Sequence, residues 1–365
     1  MLLTEKQAMV KLGNDSLRCP SWLNPNKNGV GYYRSLLNEK GRHALLTVAA
    51  KKLSLAEQLS YIGDIRAMLG SGAIDTKEAL AVVSALAGVS ANDKSTPVHR
   101  AIIQLAYFIR DAAGDAPTRQ AFYARILKIF ATSAKWLGTR PRRNEPPQVA
   151  ALRPMEIGLL AEAGDQTSID AAKKAVGAYL DNKQPLDAEL ADVFLGIAAR
   201  NSGEDVFNKM VAKLKSIDNR NRIERASLLF ALGQFQQPEL AKKAFEFALS
   251  DAVDTRDGID VFRGASQFEK TLPFALGFVF DNFDKLSKEM SESQLIRLPG
   301  LFDRTCDKAT RNKLAAFFSD KIGKLPSGEQ KLKQTIEEID LCIAYRAAQK
   351  KSLTTTLNVS GSKTN

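Results

Sequence analysis

Chemistry in this chain would have to begin with its two histidines. A hydrolytic zinc on a helical scaffold needs two imidazoles one helical turn apart, with a glutamate between them to take the proton from zinc-bound water. The sequence has two histidines. His43 lies in Gly41-Arg42-His43-Ala44-Leu45 and His99 in Thr96-Pro97-Val98-His99-Arg100; neither has a glutamate beside it. A His-Glu-x-x-His site is therefore impossible, and both are read as polar surface or cap residues. No metal ligand and no catalytic residue are assigned.

Other nucleophile patterns are also missing. There is no Gly-x-Ser-x-Gly elbow and no Gly-x-x-x-x-Gly-Lys-Ser/Thr phosphate loop. Cys19, Cys306 and Cys342 are far apart, share no metal-ligand spacing and carry no cysteine-protease signature. They are expected to be small buried hydrophobes. Glu337 and Glu338 accompany an apolar stripe of Ile336, Ile339 and Ile343, which makes them a solvated helix face. With no readable nucleophile–base pair, a hydrolase built on Cys or His is not supported.

The elements that must carry these residues are helical. The chain has 365 residues, 44% hydrophobic and 25% charged, as in a soluble globular protein. Its longest apolar stretch, around Leu272 to Phe280, is far short of the roughly 20 residues that cross a bilayer. From about Gly41 apolar residues recur at three- and four-residue spacing, as in Ile102, Leu105, Ala106 and Ile109. One helix should end at Gly70-Ser71-Gly72, and Asp75 should cap the next. Eleven more are expected between 148 and 354, among them 270–287 and 291–305. Such short amphipathic helices must stack, so the expected fold is all-α, an α-solenoid of antiparallel helix pairs of the HEAT or armadillo kind. No consensus recurs from pair to pair. Residues 1–40 differ: Pro25 to Gly29 reads as a turn and Tyr32 to Leu36 as a short strand, a β-hairpin remnant. A polar tail is expected over 356–365.

The formal net charge is +11, densest at Lys135, Arg140, Arg142 and Arg143. This favours anionic partners. No aromatic-plus-basic recognition module is present, so specific nucleic-acid binding is not expected.

The phrase Trp22-Leu23-Asn24-Pro25-Asn26, followed by Gly31-Tyr32-Tyr33-Arg34, resembles a junction in the aminopeptidase N family of zinc metallopeptidases. There it closes a small β-sandwich domain and leads into a helical C-terminal domain. Ser54 to Asp64, Ala67 to Asp75, Leu137-Gly138, Leu152-Arg153-Pro154, Ala163-Gly164-Asp165, Thr255-Arg256-Asp257 and Gln334 to Tyr345 resemble that domain in order. The resemblance covers about residues 20–355 and implies a helical domain over 41–355 that caps an active site and shapes a peptide-binding cavity. Its zinc, Gly-x-Met-Glu-Asn motif and transition-state tyrosine belong to a catalytic half that this chain does not contain; Met155-Glu156 is followed by Ile157. The implied partners are that catalytic half or a peptide. By the same resemblance Arg297, or less so Arg263, is a candidate substrate-binding residue. Glu5, Lys6 and Gln7 interrupt Met1 to Met9 where an export signal needs an apolar centre. The chain as it stands reads as cytoplasmic, with an exported parent enzyme left open. The alternative to this domain is a free-standing helical scaffold that binds a protein or an anionic partner.

Overall fold

The computed structural model describes residues 20–92 and 95–359. The Met1–Met9 segment, Cys19 and residues 360–365 of the expected tail lie outside them. Among the described residues there are eighteen α-helices and no strand. They are α1 (Glu39–Lys52), α2 (Leu55–Gly70), α3 (Thr76–Asn92), α4 (Thr96–Arg110), α5 (Ala116–Ile129), α6 (Ala131–Leu137), α7 (Pro147–Glu162), α8 (Gln166–Leu180) and α9 (Ala191–Arg200). The second half holds α10 (Glu204–Ser216), α11 (Arg222–Leu232), α12 (Pro238–Ala248), α13 (Thr255–Ser266), α14 (Leu272–Asp281), α15 (Phe283–Glu289), α16 (Glu292–Leu295), α17 (Lys308–Ile322) and α18 (Gly328–Thr356).

Local chemistry sets many of the boundaries. Ser54 and Glu57 form a reciprocal capping box at the start of α2. The carboxylates of Asp75, Asp115, Asp165 and Asp307 each accept from a backbone N–H three residues on. Gly72, Gly138 and Gly164 follow helix ends with positive φ, which glycine adopts without strain. The helix expected over 270–287 breaks at Asn282, and that over 291–305 becomes α16 plus a 3-10 turn at Leu298–Phe302. Pro299, with no N–H to donate, starts that tighter turn.

The helices pack in a row that returns to its start. α2 packs on α4, α4 on α7, α7 on α9, α9 on α11 and α11 on α13. α13 meets the 3-10 turn, that turn meets α18, and α18 reaches back to α3. α8, α10 and α12 form a second layer beside α9, α11 and α13. The α11–α13 approach is backbone to backbone: a Cβ on Gly264 would lie 1.9 Å from the Phe230 carbonyl oxygen. Two apolar clusters fill the interior. One draws on α1–α7 plus Tyr345 and Leu353 of α18; the other runs from Ile157 to Ile339.

Two expectations are corrected here. The β-hairpin remnant of residues 1–40 has no strand among residues 20–38. A lone hairpin of this size lacks a partner sheet, and the segment lies on α2 instead. Asn26 closes a loop by accepting from Gly31 N at 2.7 Å and donating to Gly31 O and to Ser60 Oγ on α2. Arg34 and Ser35 N then donate to the buried Asp64 carboxylate. The second correction concerns the cysteines. Cys306 and Cys342 are half-buried and joined as a disulfide, Cα atoms 5.3 Å apart. Cys306 lies between the 3-10 turn and α17, and α17 turns back so that this connection meets the middle of α18.

Candidate functional site

The row of helices puts the ends of its members around one cavity of about 960 Å³, adjoined by a second of about 580 Å³. Arg66 lies in the last turns of α2. Arg110, Glu162 and Arg200 are the final residues of α4, α7 and α9. Gln267 follows α13 directly, and Arg304 comes just after the 3-10 turn. The cavity is thus edged by helix C-termini, whose free carbonyls carry partial negative charge and favour cations.

Most of these charges are neutralised across the ring. Arg110 pairs with Glu162 at 2.8 Å and Asp111 at 2.9 Å. Burial works against the Arg110 charge, but Glu162 and Asp111 outweigh it and hold its pKa above the ordinary guanidinium value. Arg119 and Arg346 share Glu269 at 2.6 and 2.9 Å. Tyr123, pushed up to about 12 by burial and then by the Glu162 charge, keeps its proton and donates it to Glu162 at 3.3 Å. Burial, then Glu338, raises the Asp303 carboxyl at the opposite side.

Two guanidinium groups stand outside this pairing. Arg200 lies over the Phe268 ring at 4.4 Å and donates to Gln234, and burial depresses its pKa. Arg66 lies over Phe108 at 5.3 Å. Among the described residues neither has a carboxylate partner within 4.0 Å. A ring face attracts a cation but does not neutralise it, so the wall offers an anion two positive charges without a paired carboxylate, beside apolar surface from Phe108, Phe268 and Tyr345. The arrangement can hold an extended chain with oxygen acceptors.

The residues named from resemblance lie elsewhere. Arg263, on α13, is exposed and pairs with Asp260 at 2.6 Å. Arg297, just before the 3-10 turn, is also exposed. Neither lines the cavity. The cavity arginines share no local sequence pattern, because they come from α2, α4, α5, α9, α18 and the connection after the 3-10 turn. The one available signal was a basic residue in the last turn of α4 and of α9.

His99 is the other surprise. It is neither a surface nor a cap residue but fully buried, with Ser90 Oγ 2.8 Å from Nδ1 and Glu156 Oε2 2.5 Å from Nε2. Phe130 and Trp136 meet its ring edge-on. A serine, an imidazole and a carboxylate in line suggest a catalytic triad, but all three are sealed in the core and none lines the cavity. A substrate has no route to them. His43 is exposed on α1 near Glu39. Zinc does not fit this donor set: one imidazole is exposed, the other is locked in the core, and no three His, Cys, Asp or Glu side chains gather among the described residues.

Residues 22–341 match the ERAP1-like C-terminal domain family. The chain is 23% identical over 265 residues, 72% of its length, to the puromycin-sensitive aminopeptidase of Caenorhabditis elegans, of which it covers 27%. It is 23% identical over 331 residues to aminopeptidase M1-C of Oryza sativa subsp. japonica, matching 87% of this chain and 36% of that protein. With the alanine/arginine aminopeptidase of Saccharomyces cerevisiae it shares 22% over 346 residues, 93% of this chain and 39% of the relative. The chain therefore spans about a quarter to two-fifths of the length of the relatives it matches.

Proposed function

The chain belongs to the ERAP1-like C-terminal domain family, and on that premise we propose that it is the non-catalytic helical part of a zinc aminopeptidase. It caps the active site of a catalytic half and encloses the peptide that half trims. The catalytic half holds the zinc; this chain supplies the wall. The observation that carries the reading is the cavity edged by helix C-termini, large enough for several residues of extended peptide, with Arg66 and Arg200 on its wall and no carboxylate paired to either among the described residues. These guanidinium groups meet peptide carbonyl or carboxylate oxygens, a charge-assisted contact. The exposed Arg263 and Arg297 serve as secondary contacts for a longer peptide.

The test uses the purified full chain. It should hold far less than one equivalent of zinc by atomic absorption and release no amino acid from aminoacyl amides. A fluorescent peptide should bind, and Arg200→Ala should weaken binding roughly ten- to a hundred-fold, in line with the ~1.5–3 kcal/mol of a hydrogen bond to a charged group. Arg263→Ala and Arg297→Ala should have smaller effects. Zinc-dependent turnover by the chain alone would overturn the proposal, as would peptide binding indifferent to Arg200→Ala.

A second reading, a helical scaffold gripping a protein or anionic partner, draws on the exposed Lys135, Arg140 and Arg143 around the break between α6 and α7. It predicts binding of acidic partners that weakens steeply with salt, since exposed charges are screened within about 8 Å at physiological ionic strength. Salt-independent binding would exclude it.

A further inference from the structure

The Cys306–Cys342 disulfide faces the cavity, as do its neighbours Asp303, Arg304, Glu338 and Leu341. It joins two segments held with very different strength. α18 is anchored to the first helices by groups that owe nothing to the sulfurs. Gln349 is buried, donating to Leu69 O and Ile74 O and accepting from Thr76 N. The Tyr345 hydroxyl donates to Phe108 O at 3.0 Å, and Arg346 donates to Asp111 O at 3.2 Å. Apart from Asp307, which caps α17, the connection 303–307 makes few bonds to the rest of the molecule. Arg304 reaches Asp111 only at 3.9 Å and Gln267 at 3.1 Å, and the buried Thr305 hydroxyl has no hydrogen-bond partner. Both cysteines are half-buried at the cavity, open to a small reductant.

We propose that the Cys306–Cys342 disulfide is a redox latch on the cavity wall. Oxidised, it pins the 303–307 connection, and Arg304 with it, against α18. Reduced, it frees that connection while α18 stays docked. The chemistry is ordinary thiol–disulfide exchange. A thiolate of a dithiol reductant attacks one cysteine sulfur, the Sγ–Sγ bond breaks, and the reductant's second thiol displaces the mixed disulfide as the reductant closes to its own cyclic disulfide. Two electrons and two protons pass to Cys306 and Cys342, which become thiols. The latch is therefore set in an oxidising compartment and released in a reducing one. That the release changes peptide capture rests on the cavity reading above.

The experiment follows amide hydrogen exchange of the full chain by mass spectrometry, with Cys19→Ser present throughout to prevent scrambling. The chain is oxidised with glutathione disulfide or reduced with dithiothreitol. Residues 300–307 should exchange at least ten-fold faster when reduced, and 345–353 should be unchanged. The Cys306→Ser/Cys342→Ser variant should show the fast rate with or without dithiothreitol. A fluorescent peptide should be released faster from the reduced chain. Failure of the 306–342 bond to form under glutathione disulfide overturns the proposal, as does equal exchange of 300–307 in both states. A peptide that binds neither state, while exchange still responds, would remove the peptide-cavity reading and leave the latch supported.

Discussion

The two halves of the molecule bury their interiors by different means. Between α1 and α7 the core holds charge. Arg153 is buried with both carboxylate oxygens of Glu145 and also donates to the Leu137 carbonyl at 3.2 Å. His99 bridges Ser90 and Glu156 in the core, and at its edge the half-buried Arg42 meets Glu78 at 2.5 Å. From α8 to α17 the described interior holds one buried charge, Arg225, which donates to the Leu214 carbonyl at 3.1 Å, and is otherwise dominated by phenylalanine: Phe245 stacks on Phe262 at 5.2 Å, Phe207 meets Phe235 edge-on at 5.3 Å, and Phe280 stacks on Phe317 at 4.1 Å. The difference follows from what each half must join. The second half repeats neighbour-on-neighbour contacts, which apolar packing satisfies. The first must also receive the irregular segment 20–38 and the returning α18, which the buried Asp64 and Gln349 hold by hydrogen bonds of specific geometry.

The sharpest break in that comparison is Glu145→Ala. It leaves the Arg153 guanidinium buried without its carboxylate, and removing one member of a buried pair costs about 3–5 kcal/mol. Urea unfolding should show that loss, while the double change Arg153→Met/Glu145→Leu should recover much of it. pH gives an independent signature. The Arg153 hydrogen bond holds the Glu145 pKa below its ordinary 4.5. A carboxyl lowered in the folded state stabilises above its unfolded pKa, and that stability disappears as pH falls through the folded value. Between pH 6 and pH 3 the wild type should therefore lose more stability than Glu145→Gln. Equal losses would mean that the pair is not formed.

A smaller effect is expected where α18 closes the row. Gln349→Leu removes the side-chain partner of Ile74 O and Thr76 N, both buried, and one of the two donors to Leu69 O, which keeps Gly72 N; unsatisfied buried groups cost about 1–3 kcal/mol each. Relaxation of α18 should limit the total to about 2–3 kcal/mol. Exchange should accelerate at 69–76 and 345–353 together. Smaller still is the change in the aromatic half: Phe262→Leu should cost under about 1.5 kcal/mol, because near-conserving apolar swaps repack. A cost above that of Gln349→Leu would reverse the contrast between the halves.

How much was legible in advance follows the same division. Signals that act within a few residues were readable: Asp75 as a cap, Gly72 at a helix end, and the apolar face of Ile102, Leu105, Ala106 and Ile109 on α4. The phrases that carried the family resemblance turn out to be joints. Asn26 and Gly31 close a loop, Leu137 and Arg153 meet in the core, and Gly164-Asp165 ends α7 and caps α8. What stayed hidden depends on groups brought together from afar. His99 needs Glu156, Cys306 needs Cys342 across the length of α17, and the cavity exists only once several helices end at one place. Val30, Tyr32 and Tyr33 carry strand preference, but preference without a partner strand does not make a sheet.

The smallest effect tests whether the polar joints of the first half are separable from the caps beside them. Ser54→Ala removes one side of the capping box, and such a loss costs typically about 1 kcal/mol. Glu57 holds more than that box. One carboxylate oxygen accepts from Ser54 N at 2.8 Å, and the other accepts from Asn28 N at 3.0 Å in the loop before α1. The Asn28 and Ser54 backbone donors together hold the Glu57 carboxyl below its usual range. Glu57→Ala should therefore release residues 26–31 to faster hydrogen exchange, whereas Ser54→Ala should leave them unchanged at a similar cost in stability. If both variants free the loop alike, the loop depends on the helix end as a whole and the bridge through Glu57 carries no separate weight.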